Sequence, residues 1–230
     1  MKKIQFLLIS CLLSLPSVSY GEVLEVYNWK AFPGKGQQML EIMSEAAEIH
    51  TALGATVGIY QLNVGSENQV DYVVRTDDLV SWGEFKDKLT TSEKWVRLWS
   101  KVSRNPTGEL QMSLVGVNLD TSKKASDFTD PSVYGVWVWD PSPGYEAQLL
   151  QNFMKAKAIH ESLGARVEVY SEGVGGTGSY HYVLNFKSWS EMGEFFTKAG
   201  TSKEVAEFNA SIEPGGAELV RSFSGSSIPN

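Results

Sequence analysis

Hydrophobic residues along this chain switch between two spacings, and the switches mark its elements. Val23 to Trp29 is a β-branched and aromatic run, which predicts a strand. Pro33-Gly34 turns the chain. From Gln37 to Leu53, Met39, Ile42, Met43, Ala46, Ile49 and Leu53 fall three and four apart, one face of an amphipathic helix. Gly54 follows where helices commonly end. Ala55 to Leu62 and Val70 to Thr76 predict two strands, with a turn from Val64 to Asn68 between them. Asp77 and Asp78 offer caps for a second helical region reaching Val102, broken near Thr91. Glu109 to Leu119 predicts a fourth strand. The order is β-α-β-β-α-β, a ferredoxin-like split unit, and it sets the fold class as α+β.

The chain spells this unit twice. "IHTALGATVGIY" (Ile49 to Tyr60) returns as "IHESLGARVEVY" (Ile159 to Tyr170), and seven of the twelve residues agree. The same offset pairs Trp29 with Trp139, Pro33-Gly34 with Pro143-Gly144, Tyr72-Val73 with Tyr182-Val183 and Gly83-Glu84-Phe85 with Gly193-Glu194-Phe195. Near the end one residue drops out, and Glu109-Leu110 matches Glu218-Leu219. A duplicated domain explains this pattern. The expected units are 22–118 and 133–225, joined by a polar linker at 119–132. Ser224 to Asn230 reads as a loose end, with a tail assigned to 226–230. "GVGGTG" (Gly173 to Gly178) sits where the first copy has "NVGSEN", so it reads as a hairpin loop.

Residues 1–21 read as a signal peptide. Lys2 and Lys3 precede a short apolar run, Pro16 breaks it, and Ser19-Tyr20-Gly21 sets a cut before Glu22. The expected location is the periplasm, or secretion beyond it. Cleavage removes Cys11, the one cysteine, and excludes disulfide or thiol chemistry. It also takes the formal charge from −7 to −9, which argues against nucleic acid and anionic membranes as partners.

Element order, duplication and the stretch "WSEMGEFF" (Trp189 to Phe196) resemble the dimeric α+β barrel superfamily. It includes antibiotic-biosynthesis monooxygenase-like and NIPSNAP-like proteins. The resemblance implies two units packed sheet to sheet into a barrel. A tandem copy would supply both, giving an intramolecular pseudo-dimer and a monomeric chain. Relatives include cofactor-free oxygenases and haem enzymes. Asn28 and Trp82 are similar to an Asn and a Trp of haem-degrading relatives. The histidine those enzymes carry in the second helix is missing from "SEKWVRLWSKV" and "SKEVAEFNASI", so no cofactor and no metal is expected.

Side chains alternate along a strand. Leu24 and Val26, matched by Tyr134 and Val136, are assigned to the helix-covered face. That leaves Glu25, Tyr27 and Trp29, with Trp137 and Trp139, for the barrel lumen. In the third strand Val70, Tyr72 and Val74 face helices, and Asp71 and Arg75, matched by His181 and Asn185, face the lumen. The expected ligand site is therefore Glu25, Tyr27, Trp29, Arg75, Trp137, Trp139, His181 and Asn185, with His181, Asp71 and Arg75 as catalytic candidates. Asp71 and Arg75 also read as a simple ion pair. His50 and His160, near helix C-termini, are expected to interact with the last carbonyls. The function read from this is an exported barrel that binds a small apolar or aromatic molecule. The alternative is a cofactor-independent, monooxygenase-like enzyme acting on a small apolar substrate.

Overall fold

The computed structural model describes residues 21–228 except 67 and 131. The expected signal peptide and Cys11 lie outside the described residues, apart from Gly21. The first half runs β1 (Val23–Ala31), α1 (Gly36–Ala52), β2 (Thr56–Val64), β3 (Gln69–Thr76), α2 (Leu79–Thr90), α3 (Glu93–Arg104) and β4 (Gly108–Asn118). The second runs β5 (Val133–Pro141), α4 (Glu146–Ser162), β6 (Arg166–Glu172), β7 (Tyr180–Phe186), α5 (Trp189–Thr201), α6 (Lys203–Ser211) and β8 (Ala217–Ser227).

Local chemistry explains the boundaries. Asp78 accepts from the Ser81 amide at 2.7 Å and caps α2. Ser92 accepts from the Trp95 amide at 3.3 Å and restarts the chain as α3, so the break falls where Thr91 marked it. Gly54 and Gly164 end α1 and α4 with φ of 102° and 108°, the left-handed region that disfavours any side chain.

The eight strands close into one antiparallel barrel, in the order β1-β3-β2-β8-β5-β7-β6-β4. Each half contributes four neighbouring strands. The halves meet where β2 pairs with β8 and β4 pairs with β6. Both junctions are short, three register pairs at β4–β6 and four at β2–β8. Closure also corrects the loose end expected from Ser224: β8 runs to Ser227, and the Ile228 amide donates to Ile59 at 2.8 Å.

Two apolar layers lie outside the barrel, one under each half's helices, and a third fills the lumen. Here β1 and β5 contradict the expected facing. Leu24, Val26, Tyr134, Val136 and Val138 belong to the lumen. Tyr27 and Trp29 pack under α1 and α3, and Trp137 and Trp139 under α4 and α6. Glu25 follows them outward to Lys86 of α2 at 2.9 Å. Register decides this. Residues paired across strands share a face, and Leu24 pairs with Arg75 while Glu25 pairs with Val74. The facings assigned to β3 and β7 stand: Asp71, Arg75, His181 and Asn185 line the lumen.

The linker is more than a tether. Its 3-10 turn, Ala125–Phe128, buries both end residues. Phe128 lies between the Arg75 and Arg166 guanidiniums, at 4.3 and 5.2 Å, and stops one end of the lumen.

Candidate functional site

A cleft of about 450 Å³ lies between the second half's sheet and its helices. One face of α4 forms its length through Gln148, Asn152, Phe153, Ala156 and His160. Gln148, Asn152, Ala156 and His160 recur every fourth residue, so they project together. Trp137 and Trp139 line it from β5, and Phe195, Phe196 and Phe208 from α5 and α6.

His160 brings the chemistry. Its Nδ1 lies 2.9 Å from the Tyr182 hydroxyl on β7. The side chain reaches across to the sheet, and the expected bond to the helix-end carbonyls is replaced by this one. Burial lowers its pKa, so the ring is neutral at pH 7. Burial also raises Tyr182 far enough that it stays a phenol. Nε2 makes no hydrogen bond among the described residues and remains available to whatever enters the cleft. A neutral imidazole held by its other nitrogen is a good donor for a metal or a hydrogen-bonding ligand.

The first half repeats this device in a tighter form. His50 Nδ1 lies 2.9 Å from the Tyr72 hydroxyl. His50 is 3% exposed, and its Nε2 is buried without a partner. Its cleft is only about 160 Å³. The difference lies in one helix. Trp95 packs 4.7 Å from the His50 ring and 5.6 Å from Trp99. The 110-residue offset places Val205 and Asn209 at these positions in α6. Two tryptophans fill in the first half what the second half leaves open.

The lumen, about 260 Å³, gathers the predicted polar residues into separate pairs. Arg75 turns to Glu22 and to the Tyr170 hydroxyl at 3.2 Å, so Asp71 and Arg75 form no ion pair. Asp71 accepts from Asn28 at 2.6 Å and from Tyr134 at 3.2 Å. Burial raises its pKa, and these two bonds only partly offset that. His181 Nε2 donates to Glu172 at 2.7 Å. Burial would raise Glu172, but His181 and the Thr177 and Ser179 amides outweigh it and hold the carboxyl at about 2. Asn185 lines the opposite, stoppered end, beside Arg166 in register. Sequence reasoning named His160 for a role at its helix end, and it missed Arg221, which also lines the lumen. No repeat signal marks Arg221, because the first copy has Met112 there.

Among the described residues no helix is long and apolar enough to cross a membrane, and no cluster of three or more His, Cys, Asp or Glu is placed to hold a metal ion. No family model and no curated protein matches the sequence. Solved structures do. A proposed monooxygenase from Fusobacterium nucleatum has a TM-score of 0.60 at 10% identity, over 91% of this chain and 94% of that one. Chlorite dismutase from Candidatus Nitrospira defluvii, in complex with imidazole, has 0.53 at 11%, over 91% and 92%. A haem-binding protein from Thermus thermophilus has 0.50 at 12%, over 91% and 92%. At such identities the likeness establishes the fold. It also overturns the expectation of no cofactor for this chain, since a protein of this fold binds haem.

Proposed function

We propose that this chain binds a flat, largely apolar small molecule of the haem class in the second-half cleft, with His160 as the donor. The observation that carries the reading is the free Nε2 of a neutral histidine lining an aromatic cavity of about 450 Å³. That volume falls within the usual range for small-molecule sites, roughly 300–1,000 Å³. The residues fit haem in two respects. Trp137, Trp139, Phe153 and Phe208 supply apolar walls, and His160 supplies an imidazole. No lysine or arginine lines the cleft, so carboxylate groups on such a ligand would stay in water. A bound haem would supply redox-active iron. The chain's own part is to orient His160 through Tyr182, to exclude water with α5 and α6, and to keep the imidazole unprotonated.

The two repeats act here as an intramolecular pseudo-dimer, each closing the other's open sheet. Export to the periplasm belongs to the same reading, since regular strand pairing begins at Val23, just beyond the expected cut. The test is a hemin titration of the mature protein, followed by absorbance and tryptophan fluorescence. Saturation at one equivalent, with quenching of Trp137 and Trp139, is expected. A linear, non-saturating response would reject the proposal.

A further inference from the structure

We propose that the barrel lumen is a second, separate site, which takes a small carboxylate with an apolar body and is gated by Arg221. An eight-stranded barrel has room for filling side chains or one small ligand. This one retains about 260 Å³. Phe128 stops one end. At the other, β8 and β4 stand four places apart in a ring of eight strands, on opposite walls. Arg221 of β8 nevertheless reaches Met112 of β4, with Nη2 at 3.3 Å from the sulfur. Its guanidinium therefore lies across the mouth.

A thioether is a weak acceptor for a guanidinium. Among the described residues Arg221 has no carboxylate within ion-pair distance. The other lumen guanidiniums are matched, Arg75 by Glu22 and Arg166 by Glu168 at 3.6 Å, and His181 is hydrogen-bonded to Glu172 at 2.7 Å. Asp71, whose oxygens accept from Asn28 and Tyr134, acts on Arg221 only through space, without a hydrogen bond or ion pair. The lumen thus presents, at its mouth, one guanidinium that stacks 5.1 Å from the Phe223 ring but has no direct ion-pair partner among the described residues, above apolar walls of Val26, Val73, Val136 and Val183.

A carboxylate is the group that this guanidinium lacks, and it can accept two parallel bonds from the fork. It would displace the sulfur contact and let the apolar body descend among the valines. The volume limits that body to about one ring or a short chain. None of these residues belongs to the His160 cleft, so the two sites stand or fall apart.

The probe is benzoate, with benzyl alcohol as its neutral counterpart. Both are titrated into the mature protein at pH 7 by calorimetry and by amide chemical-shift mapping. Benzoate should saturate one site, with shifts centred on Arg221, His181 and Phe223. Benzyl alcohol should bind about tenfold more weakly or less, and Arg221→Met should weaken benzoate by about tenfold or more. Arg221→Lys should keep part of the affinity, and His160→Ala all of it. Arg221 is solvent-exposed, and an unchanged melting temperature will show that its variants fold. No saturable benzoate binding, equal binding of the alcohol, indifference to Arg221→Met, or shifts mapping to the His160 cleft would each overturn the proposal.

Discussion

His50 and His160 occupy one position of the repeat and carry different burdens. His50 is sealed, and burial, with Lys86 second, holds its pKa at about 4. An unfolded chain's histidine titrates near ~6.5. Protons therefore bind the unfolded chain first as pH falls. The stability tied to neutral His50 is full above about pH 6.5, declines below it and is gone near pH 4, a loss of about 3 kcal/mol. Urea midpoints across that window should fall for the native chain, and His50→Phe should flatten the fall. An unflattened curve would place the dependence elsewhere. Glu172, held at about 2, acts in a lower window: its contribution is present above ~4.5 and lost as pH drops toward 2. The tyrosines extend the contrast. Tyr72→Phe strands a buried ring nitrogen and should cost about 1–3 kcal/mol. Tyr182→Phe should cost less, because His160 is partly open to water. Equal melting shifts would contradict that asymmetry. The histidine pair was plain in the sequence. Its partners were not, because Tyr72 and Tyr182 lie 22 residues downstream, and only the packing of helix on sheet brings them into contact.

At the scale of elements, periodicity located almost every strand and helix. Where one face of an element meets water, alternation also reports its orientation. β1 and β5 are buried on both faces, by helices outside and by the lumen within, so neither face was marked polar. The helix–sheet layers take Trp29, Trp137 and Trp139, while the lumen takes valines, leucines and the tyrosines Tyr60, Tyr134 and Tyr170. Bulges in β4 and β8, at the register shifts beside Trp29 and Trp139, add a further irregularity that alternation cannot report. The difference between the clefts belongs to α3 and α6. Replacing Trp95 with Val and Trp99 with Asn should open the first cleft at a cost of about 3–5 kcal/mol. The double variant should then take up a second equivalent of hemin at His50. Unchanged stoichiometry would mean that more than these two side chains closes the first cleft.

For the whole molecule, the first four strands and the last four meet edge to edge through β2–β8 and β4–β6. Both junctions lie within one chain. Native mass spectrometry should therefore give a single chain at every concentration tested, and a dimer growing with concentration would point to pairing between chains. The plug was hidden because Phe128 sits in a segment whose composition is otherwise that of a linker. The most direct measurement is the absorbance spectrum of hemin-saturated protein in three forms: native, His50→Ala and His160→Ala. The account predicts a histidine-ligated band in the native and His50→Ala proteins, and its loss in His160→Ala with the fold intact. A band that survives in His160→Ala, or never forms in the native protein, would contradict it.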